Sequence, residues 1–209
     1  MKILAGLVVV AALGVAGAAT APPLPPFTAS TWKATAESKL STGIKLGTFA
    51  VRWEETPLAS VLTHIGFGRI QHQGDAAENV YWLCYTIEGV NAQRLWIMAH
   101  GEMGGPEHLV TNITAEALKG AKAGPDCPAL PKNMQPSALG RGVWLGWKDK
   151  DALKVLGAPS HTEGAWRSFD HQSKVPGRCE GGSDLTNWLL YKTQQGQIVS
   201  VMAGQVTSC

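Results

Sequence analysis

Apolar residues recur every three or four positions in two segments of the chain, which is the spacing of one face of an α-helix. They are Leu58, Val61, Leu62 and Ile65 in the first segment and Ala152, Leu153, Val155 and Leu156 in the second. Thr56 can cap the first helix, with Pro57 at its first position and Gly66 at its end. Asp149 can cap the second helix, and Gly157 ends it. The pattern therefore predicts two short amphipathic helices.

Short runs rich in β-branched and aromatic residues follow each predicted helix. They lie near residues 69–73, 79–86, 94–100 and 109–113 in the first half, and near 166–170, 187–193 and 198–203 in the second, with an ambiguous stretch around Cys179. Residues 115–122 are predicted to form a linking helix. Residues 124–140 carry four prolines and are predicted to form an irregular joint. Each half is thus predicted as one helix packed on about four antiparallel strands.

The two halves also resemble each other in sequence. Trp53 aligns with Trp147 and Cys84 with Cys179, and apolar strand segments follow in the same order at a nearly constant offset. Any two helix-and-strand units can be brought into partial register, so a chance match is the alternative. Several anchors in one order favour a tandem duplication. The predicted fold class is α+β, with two tandem repeats of a helix plus a four-stranded antiparallel sheet that form one curved sheet with both helices on one face.

The first residues are typical of a secretory signal peptide. Lys2 precedes an apolar run that is shorter than the roughly 20 residues of a membrane-spanning helix. Cleavage is expected after Ala19, because the next site, after Ala21, leaves Pro22 directly behind the cut; a buried N-terminal helix is the alternative. The mature protein is predicted to be periplasmic or extracellular in a bacterium, with no membrane anchor and a stiff proline-rich spacer at its start. The predicted divisions are a signal peptide at residues 1–19, an N-terminal segment at 20–46, repeat units at 47–123 and 141–209, and a joint at 124–140.

Export changes the meaning of the four cysteines, because disulfides are the default in an oxidising compartment. Four cysteines allow three pairings, and the chain has no C-x-x-C motif that would favour a metal site. If the halves are repeats, Cys84 and Cys179 are equivalent, and Cys127 and Cys209 each follow the last strand of a unit. The repeat therefore predicts the pairs Cys84–Cys127 and Cys179–Cys209.

Several residues of the second half resemble a known family. They are the run 147–151, Leu153, the run 155–159, Trp166 and Phe169, which match the helix, the Leu-Gly-x-Pro turn and the aromatic first strand of the SmpA/OmlA (BamE) envelope module. A duplicated module of this kind is similar to the β-lactamase inhibitor protein architecture. That resemblance implies two helix-plus-four-strand units joined into a curved sheet whose concave face grips an enzyme. The chain departs from the lipoprotein pattern in having no lipid-anchor cysteine, and its first unit lacks the proline after the helix.

Composition and charge narrow the function classes further. Hydrophobic residues make up 44% of the chain and charged residues 16%, so burial can offset chain entropy and a disordered chain is excluded. The net charge of +2 offers no concentrated basic surface, which argues against nucleic-acid binding. No phosphate-binding loop, dinucleotide fingerprint or nucleophile elbow occurs. A metal site at His100, Glu102 and His108 is one alternative, and a polar hairpin loop is the favoured interpretation of those residues.

The chain is rich in tryptophan, a residue that dominates many binding hot spots. If Cys84 faces the helices, alternation along the strands places Trp82 beside it and leaves the neighbouring tyrosines on the opposite, open face. A register shift of one residue exchanges the two faces, and the alternative is that linker or N-terminal residues cover the open one. The predicted partner-binding residues are Tyr81, Tyr85, Trp96, Met98, His100 and Tyr191.

These observations lead to one main hypothesis and two alternatives. The main hypothesis is an exported, disulfide-bonded, non-enzymatic protein that binds a protein partner, most specifically an inhibitor or immunity protein that occludes an envelope or secreted enzyme. It requires no cofactor. The first alternative is an envelope assembly or maintenance scaffold of the SmpA type. The second is a small periplasmic metal-dependent hydrolase that uses the corner at His100, Glu102 and His108.

Overall fold

An antiparallel sheet of eight strands lies at the centre of the structure, a computed structural model that describes residues 21–26, 34–75, 79–101, 108–136, 138–176 and 180–209. The helices are α1 (Leu58–Ile65) and α2 (Asp149–Leu156), and the strands are β1 (Gly43–Leu46), β2 (Phe49–Arg52), β3 (Gln71–Gln73), β4 (Val80–Ile87), β5 (Gln93–His100), β6 (Asn112–Ala117), β7 (His161–Glu163), β8 (Trp166–Val175), β9 (Ser183–Gln194) and β10 (Gln197–Ser208). Strands β1 and β2 form a separate hairpin. The predicted α+β class, with mostly antiparallel sheet and two helices, is confirmed.

The strand order of the large sheet is β3-β4-β5-β6-β10-β9-β8-β7. Each helix is followed in the chain by four of these strands, and the last strand of each set lies at the centre. There β6 and β10 pair antiparallel, with Ile113 opposite Ala203. The central pair therefore joins the first half of the sheet to the second.

Both helices form close to where the periodicity predicts them. Helix α1 ends at Gly66, whose φ of 86° lies in the left-handed region that glycine adopts without strain. Its N-cap is Pro57 rather than Thr56, because the Thr56 hydroxyl oxygen accepts a hydrogen bond from the Arg52 backbone instead. In α2 the N-cap is Lys148, and Asp149 lies in the first turn. The predicted caps are thus each displaced by one residue.

The predicted helix at residues 115–122 is wrong, because residues 115–117 complete strand β6 and residues 118–122 form a turn and irregular chain. Its alanines and glutamate favour a helix when considered alone. In the structure Ala115 pairs with Leu95 of β5 on one side and with Val201 of β10 on the other. Burial between two strands at the centre of the sheet overrides local propensity.

One face of the sheet carries the main apolar core. The buried sides of both helices and the β1–β2 hairpin pack on it, together with segments that precede each helix. Asn187 is fully buried in this layer; its side-chain oxygen accepts hydrogen bonds from the backbone of Leu40 and Ser41, and its amide donates to the carbonyls of Ser41 and Gly204. Because every bond of this buried amide is made, the N-terminal segment is firmly joined to the sheet.

The edge strands are short, and other segments continue the pairing beyond them. Past β3, the edge of β4 is bonded to the joint, since the backbone of Thr86 donates to Pro128 and accepts from Leu130. Past β7, the carbonyl of Asp170 on β8 accepts from the backbone of Thr35 and Ala36. This covering limits the open hydrogen-bonding edge that would otherwise invite aggregation.

Within the described ranges, neither helix has the length and apolar character needed to cross a membrane.

Candidate functional site

A second apolar cluster lies on the face of the sheet that carries no helix. It contains Trp82, Cys84, Trp96 and Met98 from β4 and β5, and Cys127 from the joint. Cys84 and Cys127 form a disulfide, as predicted, with their Cα atoms 4.6 Å apart. The joint reaches this face because it runs along the edge of β4, where the Thr86 hydroxyl donates to the carbonyl of Cys127. The disulfide therefore holds the joint against the open face.

The second predicted disulfide falls partly outside the described residues. Cys209 is disulfide-bonded, whereas Cys179 lies outside the described residues. The pair Cys179–Cys209 therefore stays a prediction.

Beside the second cluster the open face holds a groove of about 710 Å³. Its apolar lining comes from both halves of the sheet and includes Val80, Trp82, Met98, Trp188, Met202 and Val206. Asn112 and Thr114 of β6 supply polar groups near the middle. The described lining contains no Asp, Glu, Lys or Arg. The groove is thus suited to an uncharged, apolar ligand segment.

His100 lies at the end of β5 and also lines the groove. Its backbone N–H donates to the hydroxyl oxygen of Thr111, and its ring Nδ1 lies 3.2 Å from the same oxygen. Part of the side chain remains exposed, yet desolvation by the surrounding protein lowers the pKa of the imidazole, against the opposing effect of a hydrogen bond to Asn112. His100 is therefore mainly neutral at pH 7, and the described lining carries no fixed charge.

The structure divides the six predicted partner-binding residues between the two faces. Trp96, Met98 and His100 are on the open face, and the last two line the groove. Tyr85 and Tyr191 are fully buried on the helix-bearing face. Tyr81 is half-buried on that same face, where it packs against the core. The expectation that all six form one exposed surface is wrong: the three tyrosines lie on the other face, and Trp96 and Met98 are on the open face but almost fully buried. A partner-binding role for Trp96, Met98 and His100 stays a prediction.

The cause of this error is the register of β4. Cys84 lies opposite Trp96, and Trp82 lies opposite Met98. Residues directly opposite in an antiparallel pair share a face, so Cys84 and Trp82 belong with the groove. The expectation that Cys84 points beneath the helix is wrong, because its partner Cys127 belongs to the joint on the other side. Moving Cys84 to the open face moves Tyr81 and Tyr85 to the helices.

The three tyrosines have structural partners instead. Tyr85 donates its phenolic hydrogen to the carbonyl of Phe67 at 2.9 Å, and Tyr191 donates to Asp149 Oδ1 at 2.8 Å. Burial raises the pKa of both phenols, which keeps them protonated as donors. Tyr81 stacks between His72 and His108, with ring centroids 4.4 and 4.9 Å away. These contacts tie the sheet to the segments that cover it.

Replacing Tyr191 with phenylalanine tests this structural role. Tyr191→Phe is expected to lower the free energy of unfolding by about 1 kcal/mol, because it removes one hydrogen bond to the Asp149 carboxylate and keeps the ring. Urea unfolding followed by circular dichroism measures the change. Binding to a protein partner should stay at the wild-type level. A variant of unchanged stability that no longer binds its partner would place Tyr191 in the binding surface and contradict the structure.

The predicted metal corner is not assembled from the described residues. Glu102 lies outside them. His108 stacks on Tyr81 at the helix-bearing face, whereas His100 lies on the open face. In the described ranges no group of three or more His, Cys, Asp or Glu side chains could hold a metal ion. The two histidines therefore contribute to different surfaces.

Several groove residues were missed at the level of sequence, above all Trp82, Trp188 and Met202. The sequence of β10 contains one usable signal, since Gly204 lies inside the strand directly after the apolar residues 201–203. Glycine within a strand often marks the close approach of another group. Here a Cβ at this position would lie 2.9 Å from the Trp188 ring.

Comparison of the chain with models of protein families, with curated proteins and with solved structures finds no match.

Proposed function

We propose that the protein binds another protein through the groove on the open face of its sheet. The observation that carries this proposal is the groove itself, an uncharged apolar hollow lined from both halves of the molecule. Tryptophan and methionine are enriched at the centres of protein interfaces, and charged residues are depleted there. Trp82, Met98, Trp188 and Met202 fit that composition.

The rigidity of the groove floor also supports binding. Trp82, Met98 and Met202 are almost fully buried, so their side chains are held by packing before a partner arrives. The disulfide at Cys84 anchors the same cluster to the joint. A preorganised surface loses little side-chain entropy on association, which leaves more of the contact energy for affinity.

We also propose that the two halves are tandem copies of one unit. The strand order is symmetric about the central β6–β10 pair, and each helix precedes its own four strands. In the first half Pro57, the N-cap of α1, forms a β-bridge with Leu109, just before β6. In the second half Lys148, the N-cap of α2, forms a β-bridge with Gln197 at the start of β10. The same attachment of helix start to last strand supports a duplication.

The backbone bonds next to these bridges support the same equivalence. Val110 donates to the carbonyl of Thr56, and Ile198 donates to the carbonyl of Trp147. These bonds make Thr56 equivalent to Trp147. Counting three residues back from each then makes Trp53 equivalent to Trp144 rather than to Trp147. Both Trp53 and Trp144 are buried in the helix-side core. The two copies are therefore best aligned by matching α1 with α2. The sequence alignment that pairs Trp53 with Trp147 is three residues out of this register.

The most specific form of the proposal is an exported inhibitor or immunity protein. A groove across the middle of a sheet can receive a projecting loop of an enzyme, and burying that loop would block access to the enzyme's site. The resemblance to the β-lactamase inhibitor architecture favours the same mode, in which two units act as one concave surface. Envelope scaffolding of the SmpA type uses protein binding as well, and the identity of the captured partner distinguishes the two.

A pair of matched valine substitutions tests the groove. Val206 lines it and is 49% exposed, whereas Val155 on α2 is 42% exposed on the opposite side of the molecule. Val206→Glu is expected to reduce the recovery of a partner from native envelope and culture medium at least about tenfold, because it places an unpaired charge against an apolar contact. Val155→Glu should leave recovery unchanged. The measurement is affinity capture with oxidised mature protein, quantified by mass spectrometry.

Thermal unfolding of both variants provides the folding control, since each substitution is at an exposed position. Equal capture by Val206→Glu and the wild type would exclude the groove as the binding site. Loss of capture by Val155→Glu alone would place the site on the helical face. Recovery of an outer-membrane assembly complex through the groove would favour the scaffold over the inhibitor.

A further inference from the structure

The groove already holds part of the chain itself. Residues 21–26, here called the proline strap, have the sequence Ala-Pro-Pro-Leu-Pro-Pro, and residues 21–25 form one wall of the groove. Pro22 and Pro23 are half-buried there, whereas Leu24 is 83% exposed. The strap therefore contacts the floor through its first prolines and presents Leu24 to solvent.

The chemistry of the strap fits the chemistry of the groove. Proline-rich segments favour the extended polyproline II conformation, which loses little entropy when it is bound. The prolines in such segments have no backbone N–H, so the segments present mainly carbonyl acceptors and ring carbons. Aromatic-lined grooves recognise such segments in many binding modules. Here Trp82 and Trp188 supply aromatic surface, and the absence of charged groups in the described lining suits a ligand without charges.

An unused hydrogen-bond donor lies in the same place. The indole Nε1 of Trp82 is buried and has no hydrogen-bond partner among the described residues. A buried donor without an acceptor costs about 1–3 kcal/mol, so a native structure usually supplies one. The indole of Trp53 in the helix-side core is unpartnered in the same way, but Trp82 differs in lining the groove. A backbone carbonyl of a proline-rich segment, seated more deeply than the strap, would supply an acceptor to Trp82 if it reached the indole.

We propose that the groove recognises an extended proline-rich segment of the partner, and that the proline strap is a tethered competitor that must leave before this segment binds. This inference rests on the proposed function, because it specifies the ligand and the regulation of the same groove. A tethered segment acts at an effective concentration of the order of millimolar, enough to occupy a weak site without blocking a stronger ligand.

The tether also explains why the strap can be displaced without unfolding. Its few prolines make a partial contact, with Pro25 and Pro26 exposed, whereas the next described segment is held by the backbone bonds of Thr35 and Ala36 to Asp170. Among the described residues, departure of the strap thus breaks contacts on the open face. A partner segment that fills the groove and satisfies Trp82 has the advantage over the strap.

The test uses oxidised mature protein with Pro22→Gly and Pro23→Gly together, here called the strap variant. In spectra of protein labelled with ¹⁵N-tryptophan, the indole N–H resonances of Trp82 and Trp188 should shift between the wild type and the strap variant. The resonances of Trp53 and Trp144, which lie in the helix-side core, should stay in place and report that the fold is intact. Pro26→Gly, at an exposed strap position that does not line the groove, is the matched control and should give the wild-type spectrum.

The second measurement is a titration with a synthetic peptide of residues 21–26. The peptide should return the Trp82 and Trp188 resonances of the strap variant toward their wild-type positions, with an apparent dissociation constant about fivefold lower than for the wild type, because the wild type carries its own competitor. A peptide with glycine at both substituted prolines should not bind.

Identical Trp82 and Trp188 resonances in the wild type and the strap variant, or equal affinity of both proteins for the peptide, would overturn the proposal. Neither measurement involves a natural partner, so the outcome is separate from that of the capture experiment. If the strap result is negative and Val206→Glu still prevents capture, the groove binds its partner without a competitor. If the strap result is positive and Val206→Glu has no effect on capture, only the proposed partner function fails.

Discussion

Replacing both Cys84 and Cys127 with alanine is expected to lower the free energy of unfolding by about 4 kcal/mol. The two residues are 43 positions apart, and a cross-link over a loop of that size restricts the unfolded chain by about this amount in the chain-entropy model. The sulfurs are also buried against Trp82 and Trp96, so the substitution removes packing from the groove floor. Because a whole domain is stable by only about 5–15 kcal/mol, this is a large share. Urea unfolding of the oxidised proteins measures it.

The single variants provide the control for this prediction. Cys84→Ala and Cys127→Ala each break the same bond, so each should lose nearly as much stability as the double variant. The bond of Cys209 remains in all three, which isolates the contribution of this disulfide. Single effects that add up to the double effect, or a double variant that loses less than about 1 kcal/mol, would show that the bond does not hold the joint to the sheet.

The helices were predictable because their signals are local. Apolar spacing and the glycines that follow each helix lie within a few residues of one another, and Gly66 and Gly157 both end a helix as the sequence indicates. The hairpin of β1 and β2 was not predicted. Few polar positions lie between its buried residues, such as Ile44 and Val51. The hairpin is stabilised by packing against the core that the other elements form.

The faces of the sheet were harder to predict than its strands. Alternation shows which residues share a side but not which side meets the helices, because that phase depends on contacts distant in sequence. On β5 the more uniformly apolar residues did identify the helix-bearing side, which contains Leu95 and Ile97. On β4 both sides are apolar, since Trp82 and Tyr85 are each almost fully buried. Which side of β4 meets the helices then depends on the position of the disulfide, and Cys127 in the joint sets that position.

The candidate site depends on contacts between residues that are still further apart in sequence. The sequence left two alternatives for the open face, an exposed surface or a face covered by linker or N-terminal residues, and in the structure the proline strap and the joint both lie against it. The strap is separated in sequence from every strand that it contacts, so no local pattern reveals the contact. The stiffness of its prolines was visible in the sequence, and its place in the structure changes its role from a spacer to a ligand of the groove.

Gly204→Ala is expected to lower the free energy of unfolding by about 2–3 kcal/mol, although alanine is usually better than glycine inside a strand by roughly 0.5–1 kcal/mol. A Cβ at this position would lie 2.5 Å from the Cβ of Asn112, 2.6 Å from the carbonyl oxygen of Thr111 and 2.9 Å from the Trp188 ring. Two of these groups belong to the chain at β6, so relief of the clash must separate the central pair of strands. The cost of overpacking therefore exceeds the gain in propensity.

Gly124→Ala is the matched control, because no heavy atom lies within 4 Å of a Cβ there and its backbone is not left-handed. It should leave the urea midpoint unchanged or raise it slightly. Gly204→Ala should also shift the indole resonance of Trp188 and weaken binding of the strap peptide, since the displaced ring lines the groove. The central strand pair thus couples the stability of the sheet to the shape of the groove. A Gly204→Ala protein with wild-type stability and an unmoved Trp188 resonance would show that β6 and β10 are less closely packed than the structure has them.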